Sequence, residues 1–216
     1  MEGKKITNES GVVAVEAIIP NIRPPLPLEP KELYRSLKPA NVSAQIREGL
    51  RKSPELQEFF KPFKGQIVVE IGPGELLTGY QVVLLSGAKA YIGVEPYDFV
   101  DNLKQFLEEA EQATSHYLLS QIARTAVKAD ALSFLRRLPD KSVSIFASQL
   151  ESVMQKEYAD SVVEEMERVL HPQGALIQYD SNFNLDKNLF ERHPVDPELA
   201  EKLSLDWRLE KYQPKT

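Results

Sequence analysis

Cysteine is absent from the 216 residues, tryptophan occurs once and histidine three times. Without a thiol there is no disulfide, no thiolate metal site, no cysteine nucleophile and no cysteine-held iron–sulfur cluster. The histidines, His116, His171 and His193, are far apart and lack the close spacing of a zinc-binding pair, so no metal is expected. Long apolar runs are also missing. The stretch from Gly11 to Pro20 is short and broken by Glu16, far below the roughly 20 apolar residues of a membrane span. Met1-Glu2-Gly3-Lys4-Lys5 leads into polar residues rather than a secretory apolar core. These absences point to a cytoplasmic protein with no membrane partner. Basic charge is in deficit too, with 26 Lys and Arg against 32 Asp and Glu and a net charge of −6. That balance disfavours nucleic acid as a partner and favours a small molecule.

What is present is ordinary for a folded chain: 42% hydrophobic and 27% charged residues. The length allows one large domain, or one domain with an appendage. Residues 1–64 read as an N-terminal extension or helical cap, and 65–216 as the main domain. Val12 to Ile19 is expected to be a short strand, followed by the extended proline tether from Pro20 to Pro30. Val42, Ile46 and Leu50 recur at helical spacing behind Asn41. Ser53-Pro54-Glu55 then opens a second helix with an N-cap, a proline and an acid, and its buried face is Leu56, Phe59 and Phe60.

From Gly65 onward strands and helices alternate. Gln66 to Ile71 is a β-branched run with the character of a buried strand, and Leu76 to Ser86 is a helix stopped by Gly87. Ala90 to Glu95 is the second strand, with helices expected over Asp98 to Ala113 and Ser115 to Arg124. Thr125 to Ala129, Ser142 to Ser148 and Ala175 to Tyr179 follow as strands. Helices over Leu132 to Leu138 and around Val162, Val163, Met166, Val169 and Leu170 lie between them. The pattern is that of an α/β protein with a mostly parallel, doubly wound sheet.

The chemistry is concentrated at strand ends. Glu70-Ile71-Gly72-Pro73-Gly74 makes a tight strand-to-helix turn, where missing Cβ atoms let a ligand approach the backbone. Glu95 follows Gly74 by about 20 residues, the separation at which a nucleotide-binding βαβ unit sets an acid against ribose hydroxyls. Leu77 breaks the G-x-G-x-x-G pattern, and Glu70 would repel a pyrophosphate. The same acid suits a ligand carrying an α-ammonium, and S-adenosylmethionine meets that requirement.

Five segments resemble the class I S-adenosylmethionine-dependent methyltransferases. They are Val69 to Gly74, Tyr91 to Glu95, Lys128 to Phe134, Ser148 to Val153 and Glu167 to Gly174. The resemblance spans about residues 65 to 180. It implies a Rossmann-like doubly wound α/β sheet and S-adenosyl-L-methionine as cofactor. It assigns Glu70, Gly72, Pro73 and Gly74 to the methionine end, and Glu95 and Pro96 to the ribose and adenine face. Asp130 and Ala131 fall to the adenine, with Ser148 and Gln149 at the end of the fourth strand. The tail after the fifth strand is short, so the C-terminal hairpin is expected to be shortened by one strand. The third glycine of the first motif is missing, and Gln173 stands where the late turn has a glycine.

The activity so implied is methyl transfer to an O, N or C nucleophile of a small molecule, or of a protein side chain. The activated donor asks mainly for positioning; Glu151 and His116 are the candidate general bases for an acceptor that must lose a proton. His171 reads as structural. A non-catalytic protein of the same fold, acting as a partner or regulatory subunit, is one alternative. An NAD(P)-dependent oxidoreductase is the other, disfavoured by Glu70 and Leu77.

Overall fold

The apolar run after Gly65 lies in the middle of a sheet. The computed structural model describes residues 15–23, 49–73, 78–96, 123–148, 156–179, 183–202 and 209–215. Strand β1 (Ile67–Ile71) lies between β2 (Ala90–Glu95) and, on its other side, a strand from Ser144–Ser148, both parallel to it. With β3 (Ala123–Lys128) beside β2, that second neighbour of β1 is β4, and β5 (Leu176–Tyr179) pairs with β4, again in parallel. The chain then makes an antiparallel hairpin of β6 (Phe190–Pro194) and β7 (Leu209–Pro214), whose second strand pairs with β5. The order across the seven-stranded sheet is β3-β2-β1-β4-β5-β7-β6.

The central strands carry apolar side chains on both faces because both faces are covered. Val69, Ile71, Ile92, Val94 and Ile145 meet α1 (Val15–Ile18) and the two helices that follow β3 and β4. Val68, Tyr91, Phe146 and Ile177 meet α2 (Pro54–Phe60), the 3-10 turn Lys61–Phe63 and α3 (Thr78–Leu85). Helix α2 starts as its sequence predicts. Ser53 Oγ accepts from the Leu56 amide at 3.2 Å, and Pro54 occupies the first turn where no amide partner is needed. Its buried side is Leu56 and Phe60, with Phe59 half-buried, and Phe60 packs edge-on against Phe63 and Phe146.

The helices on the other face are α4 (Ala131–Leu135) and α5 (Lys156–Val169). Helix α5 buries Ala159, Val162, Met166 and Val169, a stripe at three- and four-residue spacing. The turn after it is structural, as expected for His171: its amide donates to the Val143 carbonyl, and its Nδ1 accepts from the Gln173 amide. Gln173 is exposed, so a side chain costs nothing there. Gly174 differs, because a Cβ on it would stand 2.4 Å from Ser144 Oγ.

Three expectations are corrected. Val15–Ile18 is a helical turn rather than part of a strand, closed by the Ile19 amide on the Val15 carbonyl. Ile18 and Ile19 are buried in the core that way, and burial outweighs the β-preference of the local run. Ala123 and Arg124 belong to β3 rather than to a helix, in register with Ala90 and Tyr91. The C-terminal hairpin is complete: Phe190–Pro194 supplies the strand that the short tail seemed to lack. The buried carboxylate of Glu210 on β7 ties this end together, accepting from Gln178 Nε2 of β5 and Arg192 Nε of β6.

Candidate functional site

All five parallel strands point their carboxyl ends to one edge of the sheet, where open α/β sheets bind ligands. β1 delivers Glu70 to that edge and then turns at Gly72. The Gly72 amide still donates to the Val94 carbonyl at 3.0 Å, which extends the β1–β2 pairing by one residue. Its φ of 72° is left-handed, a conformation that a residue with a Cβ adopts only under strain. Pro73 follows, buried.

Glu70 is wholly buried, as is its hydrogen-bond donor Tyr91 on β2; the phenol Oη donates to Glu70 Oε2 at 2.6 Å. The register explains how they meet. Glu70 is paired with Gly93, and Tyr91 lies two residues earlier on the same face of β2. A Cβ on Gly93 would stand 2.9 Å from the Tyr91 hydroxyl and 3.4 Å from Pro73 Cγ. The glycine therefore leaves the space through which the tyrosine leans across to the neighbouring strand. Tyr80 of α3 packs against the ring, centroids 5.0 Å apart. Burial, and then the charge of Glu70, push the phenol of Tyr91 well above its usual range, so it stays a neutral donor.

The next strand ends bring two more acids. Glu95, 4% exposed, closes β2, with Pro96 buried behind it. Asp130 follows β3 as the N-cap of α4. Its Oδ1 accepts from the Ser133 amide and from Tyr158 Oη of α5, both at 2.9 Å. Tyr158 Oη in turn accepts from the Leu132 amide at 3.2 Å, so α4 and α5 fix the acid jointly. Ala131, 2% exposed, is the first residue of α4.

Of the residues singled out from the sequence, Glu70, Gly72, Pro73, Glu95, Pro96, Asp130 and Ala131 therefore come to the carboxyl edge of β1, β2 and β3. Ser148 is the last residue of β4 at the same edge. Gly74, Gln149, and the candidate bases Glu151 and His116 lie outside the described residues. Tyr91 and Tyr158, which hold two of the three acids, were not singled out. Gly93 was the available signal for the first, since a glycine inside a buried strand marks a close approach.

No protein-family model matches the chain, and no curated protein matches its sequence. Solved structures do. The yhhF protein of Escherichia coli, described as a candidate methyltransferase, superposes with a TM-score of 0.55 at 14% identity, over 88% of this chain and 91% of its own. The methylase candidate HI0767 of Haemophilus influenzae gives 0.51 at 15% identity, over 79% and 89%. The YcgJ protein of Bacillus subtilis gives 0.52 at 10% identity, over 80% and 99%. The fold is that of the class I methyltransferases. Within this methyltransferase fold the three acids occupy the ends of three adjacent strands, two of them fixed by a tyrosine hydroxyl. Among the described residues no helix is long and apolar enough to cross a membrane.

Proposed function

We propose that the protein binds S-adenosyl-L-methionine along the carboxyl edge of β1, β2 and β3 and transfers its methyl group to a small molecule. One observation carries the reading: three acids at adjacent strand ends, with a left-handed glycine between the first acid and the following helix. The donor set fits the ligand. The ligand offers an ammonium to Glu70, two ribose hydroxyls to Glu95 and an adenine amino group to Asp130, all of them donors that a carboxylate accepts. The Asp130 contact would use Oδ2, because Oδ1 already accepts two hydrogen bonds. Gly72, Pro73 and Gly74 would run beside the methionine end, Pro96 and Ala131 beside the adenine, and Ser148 and Gln149 near the methyl group.

The sulfonium supplies an activated methyl group, and the chain's task is to hold an acceptor in line with it. Glu151 or His116 would take the proton from an acceptor that must lose one. On this reading the N-terminal helices, roughly residues 41–60, form the cap of the acceptor pocket, with Leu56, Phe60 and Phe63 packed against the sheet. The absence of cysteine from the sequence fits a cytoplasmic setting.

Calorimetric titration with S-adenosylmethionine and S-adenosylhomocysteine, with NADH as control, tests the proposal. Binding of both, abolished by Glu95→Ala, is the expected result. Failure of both to bind would overturn it, and selective binding of NADH would establish the oxidoreductase alternative. Binding with no turnover across an acceptor screen would favour a partner or regulatory subunit.

A further inference from the structure

We propose that Tyr91 is a positioning residue for the amino-acid end of the ligand, holding Glu70 in the orientation that receives an ammonium, through the gap left by Gly93. The inference rests on the proposed cofactor reading and extends it to a residue outside the acids themselves. A glutamate side chain has several rotatable bonds, and its carboxylate accepts from about four directions. To receive an ammonium at a fixed place it must be held by something that is itself fixed. Tyr91 is so fixed: it is wholly buried in the middle of β2, and Tyr80 packs against its ring. Its hydroxyl reaches Glu70 Oε2 at 2.6 Å from the diagonal position on the neighbouring strand, within the range of an aromatic side chain. The phenol gives one proton to one oxygen and leaves the carboxylate its charge, which an ammonium requires. Any side chain at residue 93 would meet that hydroxyl, so the glycine and the tyrosine form one device.

The device acts on the ammonium alone, and that makes it separable from a general role in folding. The probes are S-adenosylhomocysteine, which carries the amino-acid end, and 5′-methylthioadenosine, which has the nucleoside thioether without it. In Tyr91→Phe the dissociation constant for S-adenosylhomocysteine should rise about 10-fold, because the carboxylate that receives the ammonium is no longer pre-oriented and must be ordered on binding. That for 5′-methylthioadenosine should change less than about 2-fold. In a Glu70→Gln background, Tyr91→Phe should add less than about 2-fold for either ligand. If Tyr91→Phe does not fold, Gly93→Ala, whose Cβ crowds the Tyr91 hydroxyl at 2.9 Å, carries the test through the same pair of ligands and the same outcomes. Equal weakening of both ligands, or no weakening of either, would overturn the assignment while leaving the cofactor reading intact. Absence of wild-type binding to both ligands would remove the cofactor reading and the assignment with it.

Discussion

Gly93→Ala is the sharpest test of how β1 and β2 fit together. The added methyl would meet Tyr91 Oη at 2.9 Å, with Tyr91 Cε1 and Pro73 Cγ at 3.4 Å. Only the hydroxyl is closer than a Cβ tolerates, and it cannot simply swing aside because the ring is buried and bound to Glu70. Two outcomes are open to the molecule. Either the strain is retained, at a typical overpacking cost of about 1–3 kcal/mol, or the ring yields and the hydrogen bond to a charged acceptor is lost, at about 1.5–3 kcal/mol. These are alternatives rather than a sum, so the substitution should cost about 2 kcal/mol. In a Tyr91→Phe background the clashing atom is gone and the remaining contacts are ordinary. There Gly93→Ala should cost less than about 0.5 kcal/mol, since alanine also restricts the unfolded chain. Urea denaturation of the wild type, both single variants and the double variant gives the coupling directly. A coupling below about 0.5 kcal/mol, the range of independent sites, would refute the idea that residue 93 is glycine for the sake of Tyr91.

Alkaline unfolding should show the same pair from another side. The unfolded-state pKa of tyrosine is about 10, and burial together with the charge of Glu70 raises that of Tyr91 well above it. Tyr80 and Glu95 push in the same direction. Between the two values the folded chain keeps a proton that the unfolded chain has released, so stability falls as pH rises through this window. The stability advantage of wild type over Tyr91→Phe should stay flat up to about pH 9 and narrow above about pH 10. An advantage that is constant to pH 11 would count against the buried, neutral phenol. At the second acid, Asp130→Ala should lower stability by about 1–2 kcal/mol through loss of the α4 cap. Asp130→Asn, which keeps an acceptor for the Ser133 amide and Tyr158, should cost less than half as much. Thermal melts that give the two variants the same loss would show that the cap is not what Asp130 supplies to the fold.

Much of the sheet was legible because its strands are buried on both faces. Ile67–Ile71, a β-branched run broken only by Glu70 and set between Gly65 and Gly72, and Ala90–Glu95, mostly apolar up to its final acid, are too short for helices and read as buried strands. Phe190–Pro194 was not legible for the opposite reason. It is an edge strand in which only Phe190 is buried, and Glu191, Arg192 and His193 give it no apolar period. What makes it a strand is distant in sequence, namely pairing with β7 and the reach of Arg192 to Glu210. Val15–Ile18 failed differently. Its β-branched residues favour a strand locally, yet the core needs Ile18 and Ile19 as a plug, and tertiary packing overrode propensity.

At the site, the sequence revealed the acids that gather at the strand ends and concealed the hydroxyls that hold two of them. Glu70, Glu95 and Asp130 are legible because the ligand proposed here calls for acids at strand ends, and the spacing from the glycine turn reports where those ends are. Tyr91 and Tyr158 answer no such demand. Tyr91 looks like one more core aromatic until the β1–β2 register sets it diagonally across from Glu70. Tyr158 lies 28 residues from Asp130, on a helix that meets α4 only in the folded chain. Supporting hydroxyls depend on register and packing, which one-dimensional spacing does not contain. The exception is Gly93: a glycine in a strand that is otherwise buried and apolar implies a neighbour using its missing side chain. On β2 the residue two before it, on the same face, is a tyrosine, and the residue paired with it is Glu70. A glycine of that kind, with an aromatic hydroxyl two residues away and an acid across from it, is a pattern by which such a support is recognised before a structure is known.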